Sequence, residues 1–124
     1  MDYYIEALSY LDYAKTILKT KAMENGEFYE NGDYVSVAAY KAWNGLLLAL
    51  QGKMKREGVE ISEIDVKDIS VYKDFLLKNN KFLPQYFVSS YNILYMGGFY
   101  EKDLSISFTD TGLEYARKII SWCK

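Results

Sequence analysis

The chain has 124 residues, half of them hydrophobic, and its 15 basic and 17 acidic residues leave a net charge of −2 at pH 7. This length predicts a single domain, residues 1–124, that buries its own core without a disulfide or metal. The sequence contains no histidine, which excludes imidazole acid–base chemistry, Ser–His and Cys–His nucleophile pairs, and histidine metal ligands.

The first predicted helix covers residues 3–23, because apolar residues recur every three or four positions along it. Those residues are Tyr4, Leu8, Leu11, Ala14 and Leu18. Asn25 and Gly26 end the helix, since both tolerate the left-handed conformation. Two Asn-Gly pairs in the next ten residues permit a small hairpin, although we expect an irregular loop.

The second predicted helix begins with Asp33 as its N-cap, continues to Arg56 and ends at Gly58. Its core stripe consists of Val35, Ala39, Ala42, Leu46 and Leu50. The alanines let a neighbouring helix approach closely, so we expect this helix to be the central one.

Two further helical segments follow. Asp65 is the predicted N-cap of a third helix that ends near Lys78. Pro84 suits the first turn of a fourth segment, which runs to Met96 and stops at Gly97 and Gly98. The third and fourth segments are alternatively one broken helix.

The last predicted helix covers residues 108–123, and the spacing of Thr111 and Glu114 is that of a capping box, which offers a later start. We find no convincing strand. Together the segments predict an all-α fold, an antiparallel up-and-down bundle of four to five helices.

Membrane segments and disulfides are not expected. Cys123 is the one cysteine, and we interpret it as a small apolar residue of the last helix. Residues 1–4 do not resemble the start of a signal peptide, and the longest apolar run, residues 45–50, is too short to cross a bilayer. We expect a cytoplasmic protein with no metal and no other cofactor.

The segment around residues 82–100 is rich in aromatic residues. Aromatic side chains that stack on nucleic-acid bases normally accompany a positively charged groove, and only Lys81 and Lys102 are nearby. We therefore interpret the segment as core packing or a dimer interface, since aromatic residues are enriched at both. The candidate interface residues are Tyr86, Phe87, Tyr91, Tyr95 and Phe99.

Lys41, Trp43 and Asn44 lie in the middle of the second helix, beside Gly45. Asn and Gly are poor helix formers, so their position beside a Trp indicates either a tight helix crossing, which we favour, or a pocket. For a pocket, the candidate ligand-binding residues are Lys41, Asn44, Tyr91, Asn92 and Tyr100.

The pattern of small and apolar residues in residues 7–15, 37–50 and 112–120 resembles the HEPN superfamily of small helical bundles. Many members of that superfamily are ribonucleases, or partners of nucleotidyltransferases in toxin–antitoxin pairs, and they often act as dimers. The resemblance therefore implies a HEPN-like bundle, a homodimer, and RNA or a nucleotide as a ligand.

Ribonucleases of that superfamily carry an arginine followed closely by a histidine before the final helix. The corresponding residues 91–100 contain neither. Asn92 and Tyr100 stand near the signature positions, and neither replaces an imidazole near pH 7. The resemblance thus implies a bacterial member that has kept the scaffold without the nuclease chemistry.

Two hypotheses of function follow. The first is a non-catalytic interaction module that forms a homodimer or docks a partner protein through the aromatic segment. The second is a nucleotide- or RNA-binding bundle without nuclease activity, as a partner of a nucleotidyltransferase in a toxin–antitoxin system; no DNA-specific motif occurs. We favour least a third hypothesis, an enzyme with a tyrosine- or carboxylate-based site.

Overall fold

The computed structural model describes residues 1–62 and 65–124, without the side chain of Asp65, and these residues form an all-α helical bundle, as predicted. The main elements are α1 (Tyr3–Ile17), β1 (Glu24–Asn25), β2 (Phe28–Tyr29), α2 (Gly32–Arg56), α3 (Ile69–Asn79), α4 (Leu83–Ser90) and α5 (Ile106–Trp122). α1 continues as a π helix (Leu18–Ala22), a 3₁₀ turn (Asp65–Lys67) precedes α3, and α4 continues as the long π helix (Tyr91–Tyr100). No helix within the described residues is both long and apolar enough to cross a membrane.

The segment after α1 is a β-hairpin, so the expected irregular loop is wrong. β1 pairs with β2 in antiparallel fashion, and the turn between them contains Gly26 with a φ of +64°. The Tyr29 amide donates to the Leu104 carbonyl at 2.8 Å, and the Ile106 amide donates to the Glu27 carbonyl at 3.1 Å. The hairpin is therefore held by the segment that precedes α5, far away in the sequence.

The N-caps of α2 and α3 differ from the predicted ones. Asn31, not Asp33, caps α2: its side-chain oxygen accepts from the amides of Asp33 at 3.0 Å and Tyr34 at 3.2 Å. Asp68 caps α3 by accepting from the Ser70 amide at 2.9 Å. The predicted cap at residue 65 lies in the 3₁₀ turn, and residues 63 and 64 of the predicted connection lie outside the described residues.

α5 begins earlier than predicted because Ser105 caps it, accepting from the Phe108 amide at 3.3 Å. The predicted capping box is wrong, since Thr111 already lies inside the helix and its hydroxyl donates to the Ser107 carbonyl at 2.9 Å. Asp33, which does not cap α2, forms an ion pair with Lys102.

α3 and α4 are separate helices. The side-chain oxygen of Asn80 accepts from the amides of Phe82 at 2.9 Å and Leu83 at 3.2 Å. These bonds satisfy amides that the new helix leaves free at its start. Pro84 lies in the first turn of α4, as predicted.

α2 is the central helix, and all five residues of its predicted stripe are buried. α1 lies close against it: a Cβ at Gly45 would stand 2.9 Å from the Cβ of Tyr10. The tight crossing that we favoured around Gly45 is confirmed.

Gly97 and Gly98 do not stop the fourth segment, which continues to Tyr100. A Cβ at Gly97 would stand 2.5 Å from the Phe108 ring, and one at Gly98 would overlap the Cβ of Ala39. The two glycines therefore act in packing, by letting the long π helix lie against α2 and α5.

We expect Gly98→Ala to lower the free energy of unfolding by about 1–3 kcal/mol, because the added methyl overpacks a well-filled contact. Urea unfolding followed by circular dichroism measures this change. The matched variant Gly98→Ala/Ala39→Gly removes the opposing methyl and should recover part of the loss. Full stability of the single variant would show that the helices are not in close contact there.

Candidate functional site

An open groove runs along one side of α2, with α1 forming one wall, the long π helix the other, and the start of α3 one end. It has a volume of about 1030 Å³. Its lining includes Tyr10, Tyr13, Tyr40, Lys41, Trp43, Asn44, Leu48, Gln51, Asp68, Tyr91, Tyr95 and Phe99. No segment of the described chain covers this side of α2, so the lining is open to a ligand.

Six aromatic side chains follow the wall formed by α2 and the long π helix. This aromatic cluster consists of Tyr40, Trp43, Tyr91, Tyr95, Phe99 and Tyr100. Tyr40 stacks on Phe99 with ring centroids 4.3 Å apart, and Tyr91 stacks on Tyr95 at 5.3 Å. Trp43 contacts Tyr91 edge-on at 5.6 Å. Such ring pairs add to the stability gained from burial, so each ring holds its neighbour in place.

The π geometry brings Tyr100, the last member of the cluster, against Tyr95. In an α helix, with about 3.6 residues per turn, residues five positions apart point in different directions. In a π helix, with bonds from residue i to i+5, they lie one above the other. Tyr95 and Tyr100 accordingly have ring centroids 5.2 Å apart, and the Tyr95 hydroxyl donates to the Tyr100 hydroxyl at 3.5 Å.

Lys41 connects α2 to the opposite wall of the groove. Its Nζ lies 3.9 Å from the ring centroid of Tyr10 and 5.4 Å from that of Tyr13. Within the described residues no carboxylate forms an ion pair with it. A cation over ring faces gains about 0.5–2 kcal/mol, so the two tyrosines hold one positive charge at the edge of the groove.

At the α3 end of the groove, Gln51 and Asp68 already have hydrogen-bond partners. Gln51 Nε2 donates to the Tyr72 hydroxyl at 3.0 Å, and that hydroxyl donates to the Val66 carbonyl at 2.6 Å. One carboxylate oxygen of Asp68 accepts from both the amide and the hydroxyl of Ser70, which lowers the pKa of Asp68. This end is therefore structural.

The predicted ligand-binding residues divide into three groups. Lys41, Asn44 and Tyr91 line the groove. Tyr100 is 60% exposed and lies at the rim of the aromatic cluster. Asn92 is exposed and is not part of the lining.

The predicted interface residues also lie in different places. Three of them line the groove: Tyr91, Tyr95 and Phe99. Tyr86 instead packs on Tyr115 of α5, with ring centroids 4.9 Å apart. Phe87 is 1% exposed and belongs to the core, where it contacts Trp43 and Tyr72.

Sequence reasoning missed Tyr10 and Tyr13 on α1, and on the groove side of α2 it found Lys41 and Asn44 but missed Tyr40, Leu48 and Gln51. Residues on that side, Tyr40, Asn44, Leu48 and Gln51, recur every three or four positions, parallel to the core stripe. This second stripe was the signal that could have revealed a groove along the helix.

Two ionisable side chains outside the groove have raised pKa values. Burial raises the pKa of the Cys123 thiol to about 12, so it stays protonated at neutral pH. Burial, Asp110 and Glu24 raise the pKa of the Tyr29 phenol to about 12 in a smaller pocket beside the hairpin. Within residues 1–62 and 65–124, no three Cys, Asp or Glu residues are grouped to hold a metal ion.

The sequence profile of a family described as a domain of unknown function (DUF5618) matches residues 2–124. The chain belongs to this family. A protein of unknown function from Dyadobacter fermentans has a similar structure, with a TM-score of 0.87 and 30% sequence identity over 98% of this chain and 92% of that chain. A comparison with curated proteins found no match.

In this DUF5618 chain, the hydrogen bond to Tyr100 is the main reason that the pKa of Tyr95 rises to about 12, with desolvation and the phenols of Tyr100, Tyr91 and Tyr40 adding to it. We expect Tyr100→Phe to lower the Tyr95 pKa toward the ordinary value of about 10. An alkaline titration of ¹³Cζ-labelled tyrosine by NMR measures it, with Tyr34→Phe as a control outside the cluster. An unchanged Tyr95 pKa would rule out the Tyr95–Tyr100 hydrogen bond.

Proposed function

We propose that this DUF5618 chain is a non-catalytic, cytoplasmic interaction module that binds a segment of a partner protein in the groove. The observation that carries the proposal is the aromatic cluster, which lines one uncovered side of the bundle. Its residue types are those found at the centres of protein–protein interfaces, where Tyr, Trp and Phe are enriched and charged residues are depleted.

Exposure and charge support this function. Tyr13, Tyr40 and Tyr100 are 49%, 42% and 60% exposed, although large apolar surfaces are normally buried. Lys41, Lys67 and Asp68 are the charged side chains that the described residues contribute to the lining. Rings that are already held by neighbouring rings lose little rotamer entropy on binding, which favours affinity.

A partner protein fits the groove better than a second copy. A twofold dimer would set this side of α2 against itself. Among the described lining residues, Lys41 and Lys67 would then face Asp68 as the only carboxylate, and one of its oxygens already caps α3. Like charges brought together disfavour such a contact. A second copy of the chain, as in the homodimer expected from the HEPN resemblance, is therefore the alternative occupant of the groove.

The amino-acid composition supports the non-catalytic part of the proposal. The chain has no histidine, and its one thiol is buried and protonated. The HEPN resemblance stays a prediction; it agrees with a bundle that serves as a scaffold for binding.

We expect the protein to sediment as a monomer, alone and with a mixed pool of nucleotides and RNA. Sedimentation velocity over a range of protein concentrations measures this. A second copy, not a partner protein, would be the occupant of the groove if the protein forms a dimer that Tyr91→Glu dissociates. The matched variant Tyr34→Glu, outside the groove, should then leave the dimer intact. A dimer insensitive to both variants would place self-association elsewhere on the surface.

Nucleotide or RNA binding without cleavage, beside a nucleotidyltransferase, is the second candidate function. The observation that favours it is that Lys41, Asn44 and Tyr91 line the same groove. An ammonium, an amide and an aromatic ring together can contact a phosphate and a base.

For this second candidate, we expect Lys41→Ala to weaken nucleotide or RNA binding at least about tenfold, since it removes the cation at the groove edge. Fluorescence anisotropy with labelled RNA measures the affinity, and Lys19→Ala, outside the groove, is the matched control. Equal affinity in the two variants would exclude Lys41 and, with it, the groove as the RNA site.

A further inference from the structure

A second pocket lies beside the hairpin and has a volume of about 410 Å³. Three parts of the chain line it: the C-terminal end of the first helix, the hairpin, and α5. No described residue lines both this hairpin pocket and the groove. Its volume is that of a small-molecule site, which is typically about 300–1,000 Å³, so we considered it as a site independent of the groove.

The floor of the hairpin pocket carries a phenol hydroxyl that the protein leaves without a partner. Tyr29 is 3% exposed, and its hydroxyl makes no hydrogen bond to a described residue. Every fully buried side-chain nitrogen or oxygen in the described parts of the chain has a partner. The Tyr29 oxygen is therefore open to the pocket that this residue lines. Leu18 and Leu113 are the other buried residues of the floor.

Two carboxylates stand beside this hydroxyl and form an acidic wall. Glu24 is directly opposite Tyr29 in the β1–β2 pair, so the two side chains lie on the same face of the hairpin. Asp110 reaches the pocket from the first turns of α5. After burial, the charges of Asp110 and Glu24 are the causes that raise the pKa of the phenol, which agrees with this placement.

The first helix supplies a basic wall. Lys15 and Lys19 are four positions apart and therefore lie on one face of the helix. The two remaining charged residues of the lining neutralise each other, because Arg117 donates to both carboxylate oxygens of Glu114, at 3.1 Å and 2.6 Å.

Four charges of the described lining thus stay without a partner. None of them forms an ion pair or a side-chain hydrogen bond with a described residue. They are Lys15 and Lys19 of the basic wall, and Glu24 and Asp110 of the acidic wall. A ligand with a single charge would face like charges on one wall, which is unfavourable. A ligand with one charge of each sign fits both walls.

We propose that the hairpin pocket binds a small zwitterion, an organic molecule with one ammonium and one carboxylate. The ammonium donates to the Tyr29 hydroxyl and faces the acidic wall, while the carboxylate faces the two lysines of the basic wall. The aliphatic part of the ligand lies on the two leucines of the floor. This site goes beyond the interaction function proposed for the groove.

The test is an NMR titration of the ¹⁵N-labelled chain with unbranched amino acids from glycine to 6-aminohexanoate, at low ionic strength, where exposed charges are screened least. These probes differ only in the separation of the ammonium from the carboxylate. We expect at least one to give saturable shifts of the pocket amides with a Kd below about 10 mM. Pentylamine and pentanoate, with one charge each, should bind at least about tenfold more weakly than that amino acid.

Three variants test the assigned contacts. Tyr29→Phe keeps the ring but removes the hydroxyl, and should weaken binding at least about fivefold. Asp110→Asn keeps the size of an exposed side chain, so it tests the site even if Tyr29→Phe perturbs the floor. It should weaken binding of the amino acid and strengthen that of pentanoate. Lys19→Met should have the opposite effect and favour pentylamine. Lys41→Met, in the groove, is the matched control and should leave the affinity unchanged.

Absence of saturable shifts with every amino acid of the series overturns the proposal. Equal affinity for pentylamine or pentanoate also overturns it, because the pocket would then recognise a single charge. Unchanged affinity in both Tyr29→Phe and Asp110→Asn would place the ligand elsewhere on the protein and overturn it as well. None of these outcomes bears on the groove, since the two linings share no described residue.

Discussion

The close approach of two helices to α2 is the constraint on which the rest of the structure depends. Gly45 admits α1 at the level of Tyr10, and Ala39 meets Gly98 of the long π helix. Main chains this near leave no room for large side chains between them. The bulky aromatic residues of these helices must therefore lie to the side, where they form the walls of the groove.

The wider turn of the π helix has a second consequence for the same surface. It aligns Tyr95, Phe99 and Tyr100 in mutual contact, with ring centroids 5.0–5.6 Å apart. π-helical turns are energetically poorer than α-helical ones and occur often at functional sites. Here ring contacts and the two glycines support the geometry, and the result is a wall of aromatic side chains that contact one another.

The chemistry of the groove complements its shape. Its rings provide apolar area, while Lys41 and Asn44 provide polar groups. The membership in the DUF5618 family and the similarity to the Dyadobacter fermentans protein describe the fold; the ligand has to be inferred from these side chains.

The sequence by itself determined the all-α class, the central place of α2 and the start of α4 at Pro84, because periodicity and proline act within a few residues. It also indicated a helix crossing at Gly45. Through Lys41, Asn44 and Tyr91 it indicated part of the groove lining. Only the tertiary structure decided the hairpin, which Leu104 and Ile106 hold from far along the chain. The tertiary structure alone placed Tyr10 and Tyr13 opposite Tyr91. In the sequence, a tyrosine outside the core face of a helix gives the same pattern whether it faces water or a groove. The physical reason is that long-range contacts, unlike helix propensity, leave no local pattern in the sequence.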